Sequence, residues 1–390
     1  MTAAPVTPPG QAAGPPPAGL PPMPVRSAEQ DQFAASLHDM LGTSAAAAPG
    51  GPGAGGGLAA ARRWADGDHE PGLALWRSLA DLGVTGLAVP ARWGGLGASA
   101  MDLVVACEEA GHHALPGPVA ESLAAVPALL TALGDDRLCH QWLPGLAEGE
   151  VIATLAAPPG LPYALDADVA GLVLLAGPDA VRAAAAGTRH PSVDPARWLF
   201  EVTAGPALAE GPAVAAAFAR AFDLGALATA AQLLGTGRAL LEASVTHAGQ
   251  RTQFGRPIGA FQAVQHHLAD VAIALEFARP LLYAAALTLA DGGPDGGPDG
   301  GPDSGPDRGP DGGLDAARDI SAAKVACADA AHRAARTALQ VHGAIGYTRE
   351  HDLSLWLTKV RALIPAWGTQ AEHRARVMAA LTRDEESAWN

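Results

Sequence analysis

The stretch Gly249-Gln250-Arg251-Thr252-Gln253-Phe254-Gly255-Arg256-Pro257-Ile258-Gly259-Ala260-Phe261-Gln262-Ala263-Val264-Gln265-His266-His267-Leu268-Ala269-Asp270 decides how this chain is built. Pro257 and the glycines at 249, 255 and 259 break the backbone, and beyond them Phe261, Val264, Leu268, Val271 and Leu275 recur at steps of three and four. Upstream, Leu227, Leu233, Leu234, Leu240, Leu241 and Val245 also keep helical spacing. The spacing therefore predicts two long helices of a bundle, joined by a loop that carries Arg251 and Phe254.

The rest of the chain is long enough to surround such a bundle. At 390 residues with 49% hydrophobic content, two or three domains are expected, and low aromatic content (5%) with abundant alanine favours helices. A net charge of −15, from 25 basic and 40 acidic side chains, argues against a nucleic-acid or anionic-membrane partner, because no basic run supplies phosphate contacts. No apolar run reaches the roughly 18 residues of a membrane span, and the Pro-rich N-terminus lacks the form of a signal peptide, so a cytoplasmic protein is expected. Cys107, Cys139 and Cys327 stand far apart without metal spacing and read as reduced, buried thiols. No Cys/His cluster points to a metal.

In order, residues 1–25 are Pro, Ala and Gly with almost no charge and read as a disordered tail. An N-terminal helical domain is expected over 26–143. It opens on a Ser27-x-x-Gln30 capping box with the stripe Phe33, Leu37, Met40 and Leu41, and a flexible linker at 42–57 follows. Glu108 and Glu109 read as a solvated helix face. Residues 144–218 hold three strand-like runs, at 151–156, 169–175 and 198–202, which make a reduced β-domain. Residues 219–385 read as a C-terminal four-helix bundle, with the last helices at 320–341 and 353–381. The Gly-Gly-Pro-Asp repeats of 291–313 interrupt it as a disordered insertion rather than a Ca²⁺-binding array.

The Arg251-x-x-Phe254-Gly255-x-Pro257-Ile258…Phe261-Gln262-Ala263 turn resembles that of the acyl-CoA dehydrogenase family. A second family motif follows as Gln340-Val341-His342-Gly343-Ala344-Ile345-Gly346-Tyr347. The Gly94-Gly95-Leu96-Gly97 loop and the Glu108-Glu109-Ala110-Gly111 pattern extend the resemblance to the N-terminal part. The resemblance implies a mainly α fold with a helical N-terminal domain, a shortened middle β-domain and a C-terminal bundle. It also implies an FAD cofactor shared across a subunit interface. On that reading Arg251 pairs with the pyrophosphate as a planar fork. Phe254, Phe261 and Gln262 flank the ADP half, and Gln340, Gly343 and Ala344 let the backbone approach it, Ala344 replacing the family's usual glycine.

The same resemblance exposes two departures. The middle segment reads Thr154-Leu155-Ala156-Ala157-Pro158-Pro159 where family members carry a Thr-Glu-Pro…Gly-Ser-Asp loop, and it lacks their Trp-Ile-Thr strand. Family members also supply a glutamate that removes the α-proton of an acyl thioester, from one of two places. Trp367 and Gly225 stand at those places, so no catalytic residue is identified, and Asp223, Glu350, Asp352 and Glu372 are the nearby replacements. Some bacterial members work as α2β2 heteromers with one such reduced subunit. The expected function is therefore a subunit of an FAD-dependent acyl-CoA dehydrogenase whose homologous partner carries the glutamate. Two alternatives remain open: a stand-alone enzyme acting on an acyl-CoA or carrier-bound thioester with a relocated base, and a flavin-free structural relative.

Overall fold

The computed structural model describes residues 24–42, 56–291 and 312–388. The expected tail lies almost wholly outside these residues, as do the linker and the Gly/Pro/Asp insertion.

Six helices form the N-terminal layer: α1 (Ala28–Gly42), α2 (Gly56–Ala65), α3 (Glu70–Asp81), α4 (Ala100–His112), α5 (Val126–Leu133) and α6 (Asp136–Ala147). The Ser27 capping box forms, with the Gln30 backbone N–H donating to Ser27 Oγ at 3.2 Å and the Ser27 N–H donating to Gln30 Oε1 at 3.0 Å. A second box, Ser99 with Asp102, starts α4. One turn of π-helix, Glu121–Ala125, leads into α5.

A small mixed sheet follows, built from β1 (Ala153–Ala156), β2 (Ala164–Leu165), β3 (Leu172–Ala176), β4 (Ala180–His190) and β5 (Leu199–Glu210) in the order β1-β3-β4-β5-β2. β1 and β3 run parallel and the other pairs antiparallel. The periodicity predicted three strands here. β4 was hidden because its run of four alanines favours helix locally; pairing along β5 overrides that preference.

The C-terminal bundle begins at Ala213, not 219, with α7 (Ala213–Gln250). A two-stranded hairpin, β6 (Thr252–Gln253) and β7 (Arg256–Pro257), leads to α8 (Gln262–Asp291), followed by α9 (Gly312–His342), α10 (Leu353–Leu363) and α11 (Gln370–Ala388). The single helix expected over 353–381 is two. Trp367 and Gly368 both take positive φ, 56° and 99°, which ends one helix and turns the chain into the next. α7 and α8 each hold an 18-residue stretch of mean hydropathy 1.4, long and apolar enough by composition to span a bilayer, contrary to the run-based expectation. More than half of that stretch in α7 (56%) is buried inside the protein, where it packs with α4, α5 and α9 in one continuous core.

α4 and α7 cross at bare backbone. A Cβ on Gly235 would stand 1.8 Å from the Glu108 carbonyl oxygen, and one on Gly111 2.1 Å from that of Gln232. This close crossing buries Glu108 and Glu109, at 0% and 2% exposure, which corrects their reading as a solvated face. Both are bonded to Arg238, whose Nη1 donates to them at 2.7 and 2.9 Å, and Tyr283 donates to Glu108 at 3.3 Å. A buried carboxylate without such partners is strongly unfavourable.

Candidate active site and flavin-facing surface

The two places where the resemblance puts a catalytic glutamate are neighbours in space. Gly225 lies in the middle of α7 and Trp367 on the turn between α10 and α11, and a Cβ on Gly225 would stand 2.4 Å from the indole. Trp367 is 1% exposed, with Phe222 on one side at 6.2 Å between ring centroids. Its backbone is held by His373, whose Nε2 lies 2.9 Å from the Trp367 carbonyl oxygen and whose Nδ1 lies 3.1 Å from Ser321 Oγ. Burial drives the His373 imidazole down to about 4, so at neutral pH it donates from the nitrogen facing the carbonyl. Just before the turn, the buried Lys324 ammonium donates to the carbonyls of Leu363 and Ile364 at 3.1 and 2.9 Å, closing the end of α10. Burial lowers that ammonium to about 7.

The indole N–H has a partner that periodicity did not single out. It donates to Glu121 Oε1 at 3.0 Å, inside the protein. Glu121 is 6% exposed and sits on the π-helical turn, a local widening that recurs at functional sites in other proteins. The signal was a carboxylate in the middle of the apolar run Val119-Ala120-Glu121-Ser122-Leu123-Ala124-Ala125. Glu121 and Trp367 line a small cleft together with Arg197, Thr229, Gln232 and Lys359. Arg197 donates one guanidinium N–H to the Ala362 carbonyl at 3.0 Å, while its Nε is buried without a partner.

Three of the four acids expected as replacement bases are bonded elsewhere, and the fourth, Glu350, stands in solvent. Asp223 is bonded to Arg376 at 2.6 Å, and Asp352 to Arg62 at 2.6 Å. Glu372 accepts from the Thr369 backbone N–H at 2.7 Å, which caps α11 and holds its carboxyl below the usual range. Glu350 is exposed, and its carbonyl accepts from Arg62.

The predicted flavin-facing residues lie on a different surface, where α7 ends, α8 starts and α9 ends. His247 of α7 stacks on His342 of α9 at 4.3 Å, which brings the Arg251 turn beside the Gln340-to-Ala344 segment. Arg251 caps α7 through its own N–H to the His247 carbonyl at 2.8 Å, and among the described residues its guanidinium has no partner. Phe254 stands on the hairpin tip at φ 53° with 92% exposure, edge-on to Phe261 at 6.2 Å. Phe261 is half-buried, and Arg256 lies over its ring at 4.2 Å. Gln262, Gln340 and Ala344 are exposed. Gly343 is at φ 66° with nothing within 4 Å of where a Cβ would be, so backbone is open to close approach. A free guanidinium, an aromatic in water and bare backbone suit the phosphate, aromatic and sugar parts of an ADP group.

The strands do not offer the ring half the same fit. β1 is buried along its length, and the Thr154 hydroxyl is already used, accepting from the Leu165 N–H at 3.0 Å. The Trp198 N–H is likewise committed, to Asp166 Oδ1 at 3.0 Å.

Comparison with known proteins agrees with this architecture. The profile of the acyl-CoA dehydrogenase N-terminal domain matches residues 57–150, and that of the acyl-CoA dehydrogenase C-terminal domain matches 215–382. The acyl-CoA dehydrogenase IpdE2 of Mycobacterium tuberculosis is 29% identical over 308 residues, covering 78% of this chain and 85% of that protein. Among solved structures, the ChsE4-ChsE5 complex from Mycobacterium tuberculosis shares the fold at a TM-score of 0.70 and 22% identity, over 92% of this chain and 98% of that one. Butyryl-CoA dehydrogenase from Megasphaera elsdenii does so at 0.71 and 20%, over 92% and 99%. With both family domains matched in order around a small central sheet, the chain belongs to the acyl-CoA dehydrogenase family.

Proposed function

We propose that this chain is the subunit of a heteromeric, FAD-dependent acyl-CoA dehydrogenase that supplies no α-proton base of its own. It works in the cytoplasm on an acyl-CoA or carrier-bound acyl thioester. The observation that carries the reading is the indole of Trp367 lying against Gly225. One of the two glutamate places is occupied by a group that accepts no proton, and the other by a residue with no side chain, whose Cβ would collide with that indole. A homologous partner then carries the glutamate.

FAD, when bound, takes the hydride that leaves the β-carbon. What this chain contributes is the other end of the cofactor. Arg251 would hold the pyrophosphate, Phe254 and Phe261 the adenosine side, Gln262 and Gln340 its polar edge, and Gly343 and Ala344 a flat approach. Most of these groups are exposed and lie on a different surface from the chain's own cleft, which suits a cofactor whose ring sits in a neighbour. An apolar stripe on α8, with Ile273 at 53% exposure, Phe277 at 74%, Leu281 and Leu287, supports a helix-to-helix interface beside them. The ChsE4-ChsE5 structure, a complex that shares this fold, supports the heteromeric form.

The test is the visible spectrum of the chain purified alone and co-purified with its encoded homologue. Flavin absorbance with the partner alone, at about one flavin per pair, is the expected result. Yellow protein from this chain alone sinks the shared-site reading, and a colourless complex unaffected by Arg251→Ala indicates a flavin-free structural role.

One observation favours a second reading, a stand-alone enzyme with a relocated base. Glu121 is a buried carboxylate lining the same cleft as Trp367, its Oε1 fixed by the indole. If Glu121 takes the α-proton, Glu121→Gln abolishes reduction of the flavin by an acyl thioester while flavin content is unchanged.

A further inference from the structure

Away from the cleft, α1 and α4 bring four metal-ligand side chains to one point. His38 comes from α1, and Glu109, His112 and His113 come from the end of α4. One ligand atom from each lies within 4.8 Å of all the others. His38 Nδ1 stands 3.0 Å from Glu109 Oε2 and 3.2 Å from His113 Nε2. The three imidazoles crowd each other with centroids 4.6 to 4.9 Å apart. A tetrahedral zinc site has ligand atoms about 3.4 Å apart, from Zn–N and Zn–O bonds of about 2.0–2.1 Å, so a contraction of no more than about 1.5 Å closes this set. We propose that His38, Glu109, His112 and His113 bind a divalent transition metal, Zn²⁺ by ligand chemistry, as a clip between α1 and α4.

Three further features argue for a built site. The first is an orphan: His112 is 8% exposed, its Nε2 lies 2.9 Å from Glu242 Oε2, and its Nδ1 is buried with no partner. A carboxylate on the far nitrogen fixes the tautomer that leaves Nδ1 with a free lone pair, as outer carboxylates do for metal-bound histidines. The second is that Glu109 is held the same way, its Oε1 receiving Arg238 at 2.9 Å while Oε2 faces His38. The third is charge. The carboxylates of Glu108, Glu109 and Glu242 outnumber the one guanidinium bonded among them, Arg238, and a divalent cation would offset that excess of acidic groups.

Four protein ligands saturate a tetrahedral ion, so the role is structural and separate from dehydrogenation. α1 buries Ala34, Leu37 and Leu41, and a metal would add a fastening to that packing. Sequence spacing showed no metal cluster because His38 lies 71 positions before Glu109.

The test uses the full chain without a histidine tag, dialysed against EDTA and titrated with Zn²⁺ by calorimetry, and with Co²⁺ by visible absorption. The expected result is one ion per chain, tetrahedral Co²⁺ bands, and a rise in melting temperature on adding Zn²⁺. His38→Gln and His113→Gln each weaken binding at least 100-fold, and Glu242→Gln, which removes the outer carboxylate, weakens it tenfold to 100-fold. His38→Gln also abolishes the thermal shift while its metal-free melting temperature stays near that of the metal-free wild type. The absence of stoichiometric binding overturns the proposal. So does binding that survives His38→Gln but is lost in His351→Gln, which would place the ion beside the His247–His342 stack instead, where the His351 ring lies 5.3 Å from that of His342. None of these readouts depends on flavin.

Discussion

The cleft at Trp367 and the surface at Arg251 are built on opposite packing rules. At the cleft an indole fills the space over a bare glycine, Glu121 and Asp223 are both bonded, and a Cβ at 225 has nowhere to go. At the surface an aromatic stands 92% in water, a guanidinium has no partner among the described residues, and a Cβ at Gly343 would meet nothing. The first region is packed within one chain, whereas the second is left open to solvent, as the proposed shared cofactor requires. Stability resides at the cleft, and exposed groups able to meet another molecule lie at the surface.

The contrast breaks first at Trp367. Trp367→Ala should cost about 3–5 kcal/mol, as for other large aromatic truncations in a core, and it also strips Glu121 of its donor. Urea denaturation measures this. Gly225→Ala should cost about 1–3 kcal/mol through overpacking against the indole. In a Trp367→Ala background the same substitution should be nearly neutral. A double-mutant cycle that comes out additive would show that the two positions are not in contact.

Acidity sharpens the picture next. His373 is held near 4 in the folded chain against about 6.5 when unfolded, so between those values the unfolded chain binds the extra proton. Stability is therefore full above pH 6.5 and falls as pH drops, by about 2 kcal/mol at pH 5 for a shift of this size. Comparing wild type with His373→Gln between pH 7 and 5 isolates that slope, and equal slopes would remove His373 as its cause. The smallest stability effect belongs to the surface. Phe254→Ala and Arg251→Ala should each move stability by less than about 0.5 kcal/mol. In the co-purified complex the same changes should lower flavin occupancy severalfold, read from visible absorbance after gel filtration.

Much of the fold was legible because helices announce themselves locally. The spacing around the Arg251 turn marked α7 and α8, and the Ser27 box marked the start of α1, since both patterns repeat over a few residues. β4 was not legible, because an alanine run becomes a strand through a partner elsewhere in the chain. Nor was the break between α10 and α11, since a tryptophan at positive φ is tolerated where its ring is packed against Gly225. Glu108 and Glu109 look like a wet helix face until α7 crosses them with Arg238.

The same division runs through the sites. Motif and spacing placed Arg251, Phe254 and Gln340 in one family pattern, because a turn and a helix end are short-range structures. The pairing of Trp367 with Glu121, 246 positions apart, and the meeting of His38 with His112 and His113 were decided by tertiary packing. A side chain's helical face is set by its near neighbours, but which distant side chain it meets depends on how whole helices cross, and no local period encodes that.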